Sequence, residues 1–243
     1  MKKLLFAAVA ATILLAASAT SASEVLDYQL NGTLADENGN ANITNNGAAL
    51  GATGLTFDNN QGPTIGGFAN TGIYSIETSF SLDDTAGYNK VLDFLGRGPD
   101  SGLYVINGAL QFYGVSAPAG AFAAGALTHL VVTRDAANTF TAYLNGGQVF
   151  SVADLGLSGV ITSSLRFFSD DFATSQGEAS PGFVDYIRTY DTALSANDVG
   201  EIYRTGGLDA GVPEPTAWAL MIMGFGGVGA MVRRRRGSGV RPV

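Results

Sequence analysis

The chain contains no cysteine and one histidine in 243 residues. The first absence excludes disulfide staples, a thiol nucleophile and thiolate zinc sites. The second excludes multi-histidine metal centres and leaves His129 as the single base for any triad chemistry. Cations are scarce too: 13 Lys and Arg stand against 21 Asp and Glu, a net charge of −8. Such a chain lacks the basic face that nucleic-acid phosphates require, so nucleic acid is not expected as a partner. The one tryptophan, Trp218, lies close to the C-terminus. Glycine is the opposite case, 33 of 243 residues. That is roughly double the usual ~7% share and favours short strands joined by tight turns over long helices.

Both ends carry uncharged runs. Lys2 and Lys3 precede the apolar stretch from Leu4 to Ala17, and the small residues from Ser18 to Ser23 follow it. This is the pattern of a secretory signal peptide over residues 1–22, with the cut expected after Ala22. At the other end, Thr216 to Val232 is a 17-residue uncharged run. At ~1.5 Å per residue it would extend about 25 Å as a helix, close to the ~30 Å bilayer core. Arg233, Arg234, Arg235 and Arg236 follow at once and would stay cytoplasmic by the positive-inside rule. A buried core helix is the bland alternative, and four consecutive arginines argue against it. The expected division is a signal peptide (1–22), a body (24–208), a linker (209–215), a transmembrane segment (216–232) and a basic cytoplasmic tail (233–243).

Pro213-Glu214-Pro215, then Trp218-Ala219, a glycine-rich span and the arginine cluster resemble a PEP-CTERM sorting signal of the PEP-x-x-W-A form found in Gram-negative bacteria. The resemblance implies an inner-membrane exosortase as a partner that cuts near the motif. It also implies delivery of the freed body to the cell surface or extracellular matrix. On this reading Pro213, Glu214, Pro215, Trp218 and the four arginines are processing residues, not catalytic ones. Two prolines suit a handle, because they hold the segment extended where a protease can grip it.

Between the ends, residues 24–212 hold six cations and twenty acidic residues, a net charge of −14. That charge favours solubility and repels anionic polymers. Period-two patterning dominates. Tyr74, Ile76, Thr78, Phe80 and Leu82 fall on one strand face, and Ser75, Glu77, Ser79 and Ser81 on the other. Hairpins are predicted where 102–106 and 109–113 flank Asn107-Gly108, and where 139–144 and 148–152 flank Asn145-Gly146-Gly147. Further strands are predicted at 25–30, 54–58, 90–95, 127–134, 164–168 and 182–190, with a helix over 196–203 behind a capping-box-like Ser195. Residues 114–126 read as a surface loop. The pattern is that of an antiparallel sandwich or barrel.

Four stretches, DYQLNGTLADENGN, YSIETSFSLDD, LTHLVVTRDAANTFTAYLNGGQV and GFVDYIRTYDTALSANDVGEIY, resemble LamG-like, concanavalin A-like domains in the right order. Leu127 stands where that family often has tryptophan. The resemblance implies an all-β jelly roll of two curved antiparallel sheets.

Some superfamily members hydrolyse glycosides with an E-x-D-x-x-E motif. This chain has neither that motif nor any acidic pair at i, i+2, whereas retaining hydrolysis needs two carboxyl groups ~5–5.5 Å apart. No catalytic residue is therefore assigned, and His129 is read as a structural strand residue. Calcium could use loop oxygens of Asp36, Asn38 and Asn40, or of Asp170 and Asp171, although Asp and Asn are also ordinary turn formers. Asp185 is expected to anchor a neighbouring loop. Sugar binding, the natural expectation for the superfamily, would fall to Tyr88, Tyr104 or Tyr113, since the body has no tryptophan. The expected function is a noncatalytic exported protein binding polysaccharide or mediating adhesion in a biofilm. The alternatives are a glycosidase using cross-strand carboxylates and a ligand-free surface scaffold.

Overall fold

Alternation along each strand sorts side chains between an apolar interior and two outer faces. The structure is a computed structural model and describes residues 23–40, 43–68 and 70–206. The expected signal peptide and the whole sorting segment lie outside the described residues. Among those described, no helix is long and apolar enough to cross a membrane.

In chain order the strands are β1 (Glu24–Tyr28), β2 (Ala49–Leu50), β3 (Leu55–Phe57), β4 (Thr64–Gly66), β5 (Tyr74–Leu82), β6 (Tyr88–Asp93) and β7 (Gly102–Ile106). They continue with β8 (Ala109–Tyr113), β9 (Thr128–Arg134), β10 (Thr139–Leu144), β11 (Gly147–Ala153), β12 (Ser164–Phe167) and β13 (Gly182–Tyr190), and the helix α1 (Ala196–Thr205) follows. The larger sheet runs β11-β10-β9-β5-β13-β3-β2, and β1 also pairs with β13; the smaller runs β4-β12-β6-β7-β8. All pairings are antiparallel. The architecture is thus an all-β, two-sheet antiparallel sandwich, consistent with a jelly roll.

The two predicted hairpins form where expected. Asn107 and Gly108, and likewise Asn145 and Gly146, adopt positive φ, as a two-residue turn matching strand twist requires. The interior is filled from both sheets. Ile76, Phe80, Leu130, Val132 and Phe140 meet Val91, Leu103, Val105, Phe112 and Phe167. Gly182 is required by closeness, since a Cβ there would lie 2.2 Å from the Ser81 carbonyl oxygen.

The outer face of β5, which carries Ser75, Glu77, Ser79 and Ser81, is buried along its whole length. The reason is α1. Its Val199 and Ile202 pack with Leu194 on Val131, Tyr143 and Tyr190 of the larger sheet. The Ser75 hydroxyl donates to the Thr192 carbonyl at 2.7 Å and accepts the Leu194 N–H at 2.8 Å. The helix itself opens with the predicted Ser195 cap, reinforced by Asp198.

Candidate functional site

The outer face of the smaller sheet collects the three tyrosines that the sequence singles out. Leu103 and Val105 of β7, and Leu110 and Phe112 of β8, point into the core, so Tyr104 and Tyr113 point away from it. Tyr104 lies between Lys90 of β6 and Gln111 of β8 in register. Gly102 opposes Tyr113, and a Cβ at Gly102 would lie 2.4 Å from the Leu92 carbonyl oxygen. Ring centroids are 5.6 Å apart for Tyr104–Tyr113, 6.0 Å for Tyr88–Tyr113 and 6.3 Å for Tyr88–Tyr104, all edge to face. Tyr88 is 44% exposed, Tyr113 is half-buried and Tyr104 is buried. The cluster is a small aromatic platform whose outer two rings remain open to solvent.

Charge lies beneath and beside it. The buried Lys90 Nζ donates to Asp171 Oδ2 at 2.8 Å and to the Ser101 carbonyl at 2.7 Å, and sits 4.2 Å from the Tyr104 ring centroid. The Tyr104 hydroxyl is 3.0 Å from Asp171 Oδ2 and 3.1 Å from Asp100 Oδ1. Burial pushes Asp171 up, but the Lys90 hydrogen bond and charge outweigh it and hold the carboxyl below its ordinary range. Glu178, at the end of the 168–178 loop, moves the other way. Partial burial, then Asp170, Asp100 and Asp171, raise it. The Tyr104 phenol is raised by burial and by the same aspartates. Hence Tyr104 stays a neutral phenol against the firm Asp171 carboxylate.

Arg97 braces the loop that completes this face. Its Nε donates to the Asp170 carbonyl at 2.5 Å, its terminal nitrogen to Gln176 Oε1 at 2.6 Å, and the guanidinium lies 4.5 Å from the Phe172 ring centroid. Asp171 Oδ1 accepts the Ala173 and Thr174 N–H groups, and Asp170 Oδ2 accepts the Thr174 hydroxyl and the Glu178 N–H. Asp170 and Asp171 therefore do loop-anchoring work of the kind expected of Asp185. Asp185 sits instead at a bulge in β13, between Val184 and Tyr186.

In the 36–40 loop both carboxylate oxygens of Asp36 are engaged, whereas in the 170–171 loop Asp170 Oδ1 is buried without a hydrogen-bond partner. Asp36 Oδ1 accepts the Asp27 N–H at 2.6 Å and Oδ2 the Asn40 N–H at 2.8 Å, while Asn40 donates to the Val25 carbonyl and Asn38 to Glu24. These contacts tie a turn to β1. Among the described residues, no group of three or more His, Asp and Glu side chains is placed to hold a metal ion.

His129 is a strand residue, on β9, but it belongs to a constellation that sequence reading missed. On the outer face of the larger sheet the Glu77 carboxylate has His129 Nε2 3.1 Å from Oε1. It also accepts hydrogen bonds from Tyr186 at 2.8 Å and Tyr190 at 2.6 Å, and Arg188 stands 3.5 Å away. Burial alone would raise Glu77; the hydrogen bonds from His129 and the tyrosines, with the Arg188 charge, hold it below its ordinary value. Tyr203 of α1 lies on the His129 ring, centroids 5.5 Å apart. Glu77 itself is fully buried, while Tyr186 and Arg188 beside it are half-buried and Tyr203 is exposed. Arg188 also donates to the carbonyl of Gly206, the residue capping α1, at 3.0 Å. Pro213, Glu214, Pro215, Trp218 and Arg233 to Arg236 lie outside the described residues. Leu127, standing where tryptophan is frequent, is 54% exposed.

Residues 211–236 match the PEP-CTERM protein-sorting motif. The motif implies export, membrane-associated processing by an exosortase and delivery toward the cell surface. No curated protein matches the sequence. Among solved structures, Trypanosoma rangeli sialidase is similar at 14% identity and a TM-score of 0.58, over 76% of this chain and 34% of that one. Domain 4 of AbnA, a GH43 extracellular arabinanase from Geobacillus stearothermophilus solved with arabinotriose, is similar at 19% identity and a TM-score of 0.57, over 75% of this chain and 98% of that one. The binding domain of botulinum neurotoxin DC, in complex with rat synaptotagmin II, gives 14% identity and a TM-score of 0.57, over 75% and 51%. The chain thus spans about a third of the sialidase and half of the toxin fragment, but nearly all of the arabinanase domain. At these identities the likeness is one of fold. Residues 75–200, more than half of the chain, match the family described as the concanavalin A-like lectin/glucanases superfamily, and with its two-sheet sandwich the chain belongs to that superfamily.

Proposed function

We propose that the body is a noncatalytic carbohydrate-binding module, exported through the inner membrane and freed by an exosortase near Pro213-Glu214-Pro215 for use at the cell surface or in an exopolysaccharide matrix. One observation carries the binding half: Tyr88, Tyr104 and Tyr113 converge on one sheet face beside Asp100 and Asp171. Flat rings beside a few polar acceptors suit the apolar faces and hydroxyls of a sugar. The exported protein should bind members of a glycan array, and Tyr88→Ala should weaken that binding at least tenfold without unfolding it. No binding by the native protein to any glycan overturns this half and leaves a scaffold. For the sorting half, cells lacking the exosortase should accumulate a heavier protein that keeps its tail; an unchanged mass refutes it.

A glycosidase reading has one observation in its favour. Glu178 is raised by burial and by three neighbouring aspartates, so it holds its proton longer than an ordinary carboxyl, as a general acid must. Reducing-sugar release from the producer's own exopolysaccharide, abolished by Glu178→Gln, would replace the binding reading with this one.

A further inference from the structure

The cut expected after Ala22 meets a chemical partner in the folded body. Ser23 is exposed at the head of β1, where the ladder with β13 runs out. The Asp191 N–H donates to the Ser23 carbonyl at 3.2 Å. The Ser23 nitrogen, in turn, donates to the Asp191 carboxylate, Oδ1, at 3.2 Å. In the uncut chain that nitrogen is a neutral amide. Hydrolysis of the Ala22–Ser23 bond breaks C–N, places the hydroxyl of water on the Ala22 carbonyl carbon and leaves its proton on nitrogen. The resulting amine takes one more proton from solvent below its pKa of about 7.7–8.0. A hydrogen bond charged only at its acceptor thereby becomes an ion pair.

The surroundings suit this change. Glu24, the neighbouring acid, is engaged by Arg188 at 3.7 Å and by Asn38 at 3.4 Å. Asp191 lies on the wall of a cavity of about 270 Å³ whose other lining residues, Val25, Ile73, Ile76 and Tyr190 among them, carry no charge. We propose that signal-peptide cleavage falls between Ala22 and Ser23, and that the α-ammonium it releases closes an ion pair with Asp191 that fastens β1 to β13. The proposal rests on the export reading above and adds its site and its structural consequence. A cut three residues earlier, after Ala19, would leave Ser23 an amide and the pair unmade.

The full chain, exported with its own leader, supplies the test. The mass of the N-terminal peptide should show Ser23 as the first residue; Thr20 would overturn the proposal. Four proteins are then compared by hydrogen exchange at the Leu26–Tyr28 amides: native, Asp191→Asn, one with a glycine inserted between Ala22 and Ser23, and the two changes combined. The insertion moves the ammonium one residue out and restores an amide at Ser23. Each single change should speed exchange about twofold to fivefold, the range of an exposed ion pair, and the combination should add nothing further. Equal exchange in all four, or losses that add, would overturn the ion pair. An N-terminus at Ser23 on a protein that keeps its tail would sink the sorting reading alone.

Discussion

Two buried carboxylates sit on opposite outer faces of the sandwich, and their settings differ. Glu77 is ringed by His129, Tyr186, Tyr190 and Arg188 and closed over by α1. Asp171 is held by Lys90 and Tyr104, with Tyr88 and Tyr113 open beside it. The first arrangement contains the residue types expected of a catalytic site, acid, histidine and tyrosine, yet its acid and histidine are buried and solvent reaches only the flanking Tyr186, Arg188 and Tyr203. The second has fewer such groups but a surface on which a ligand can lie. The contrast teaches that access, and not the density of polar side chains, separates a binding face from a structural knot.

Mutations should break the comparison in graded steps. Glu77→Ala leaves two tyrosine hydroxyls, His129 Nε2 and part of Arg188 without their acceptor, and should cost about 3–5 kcal/mol in urea unfolding. Glycan binding by the protein that remains folded should be intact. Lys90→Met strips Asp171 of its cation. The cost should be smaller, about 2–3 kcal/mol, because Tyr104 and the Ala173 and Thr174 N–H groups still hydrogen-bond Asp171. Here binding should fall with stability, since Tyr104 loses its support. Acid should separate the faces further. Glu77 is held below the ordinary glutamate value, so its share of stability is full above the ordinary value. That share is lost as pH falls through the lowered folded-state value. The stability gap between native protein and Glu77→Gln should be level at neutral pH and shrink in acid. Glu178 has the opposite sign. Its raised folded-state value makes its ionisation unfavourable, so Glu178→Gln should be slightly the more stable variant once pH rises above that value.

Much of the fold is legible in the sequence where the signal is local. Asn107-Gly108 fixes the β7–β8 hairpin, alternation marks β5, and Ser195 with Asp198 starts α1. Strands β2 and β4 escape because two and three residues are too short for periodicity to register. The candidate site is half legible. The tyrosines can be named from the shortage of tryptophan, but their meeting depends on the pairing of β6 with β7 and β8. Both carboxylate centres were illegible for the same reason. Glu77 meets His129 across 52 positions and Tyr190 across 113, and Lys90 meets Asp171 across 81. Partners brought together by sheet topology leave no spacing to read. The i, i+2 test for acidic pairs was silent on both, because it sees one strand at a time.

Arg188 touches Glu24 and Asp27 near one end of the body and the Gly206 carbonyl at the other. The described chain therefore enters and leaves at one corner. For a pull applied to both ends of the body, the load path is short. Tension applied at Ser23 and Gly206 meets Arg188, the Ser23–Asp191 hydrogen bonds and the five-residue β1 before it reaches the rest of the larger sheet. Under force β1 should peel from β13 rung by rung while the aromatic face across the sandwich keeps its shape.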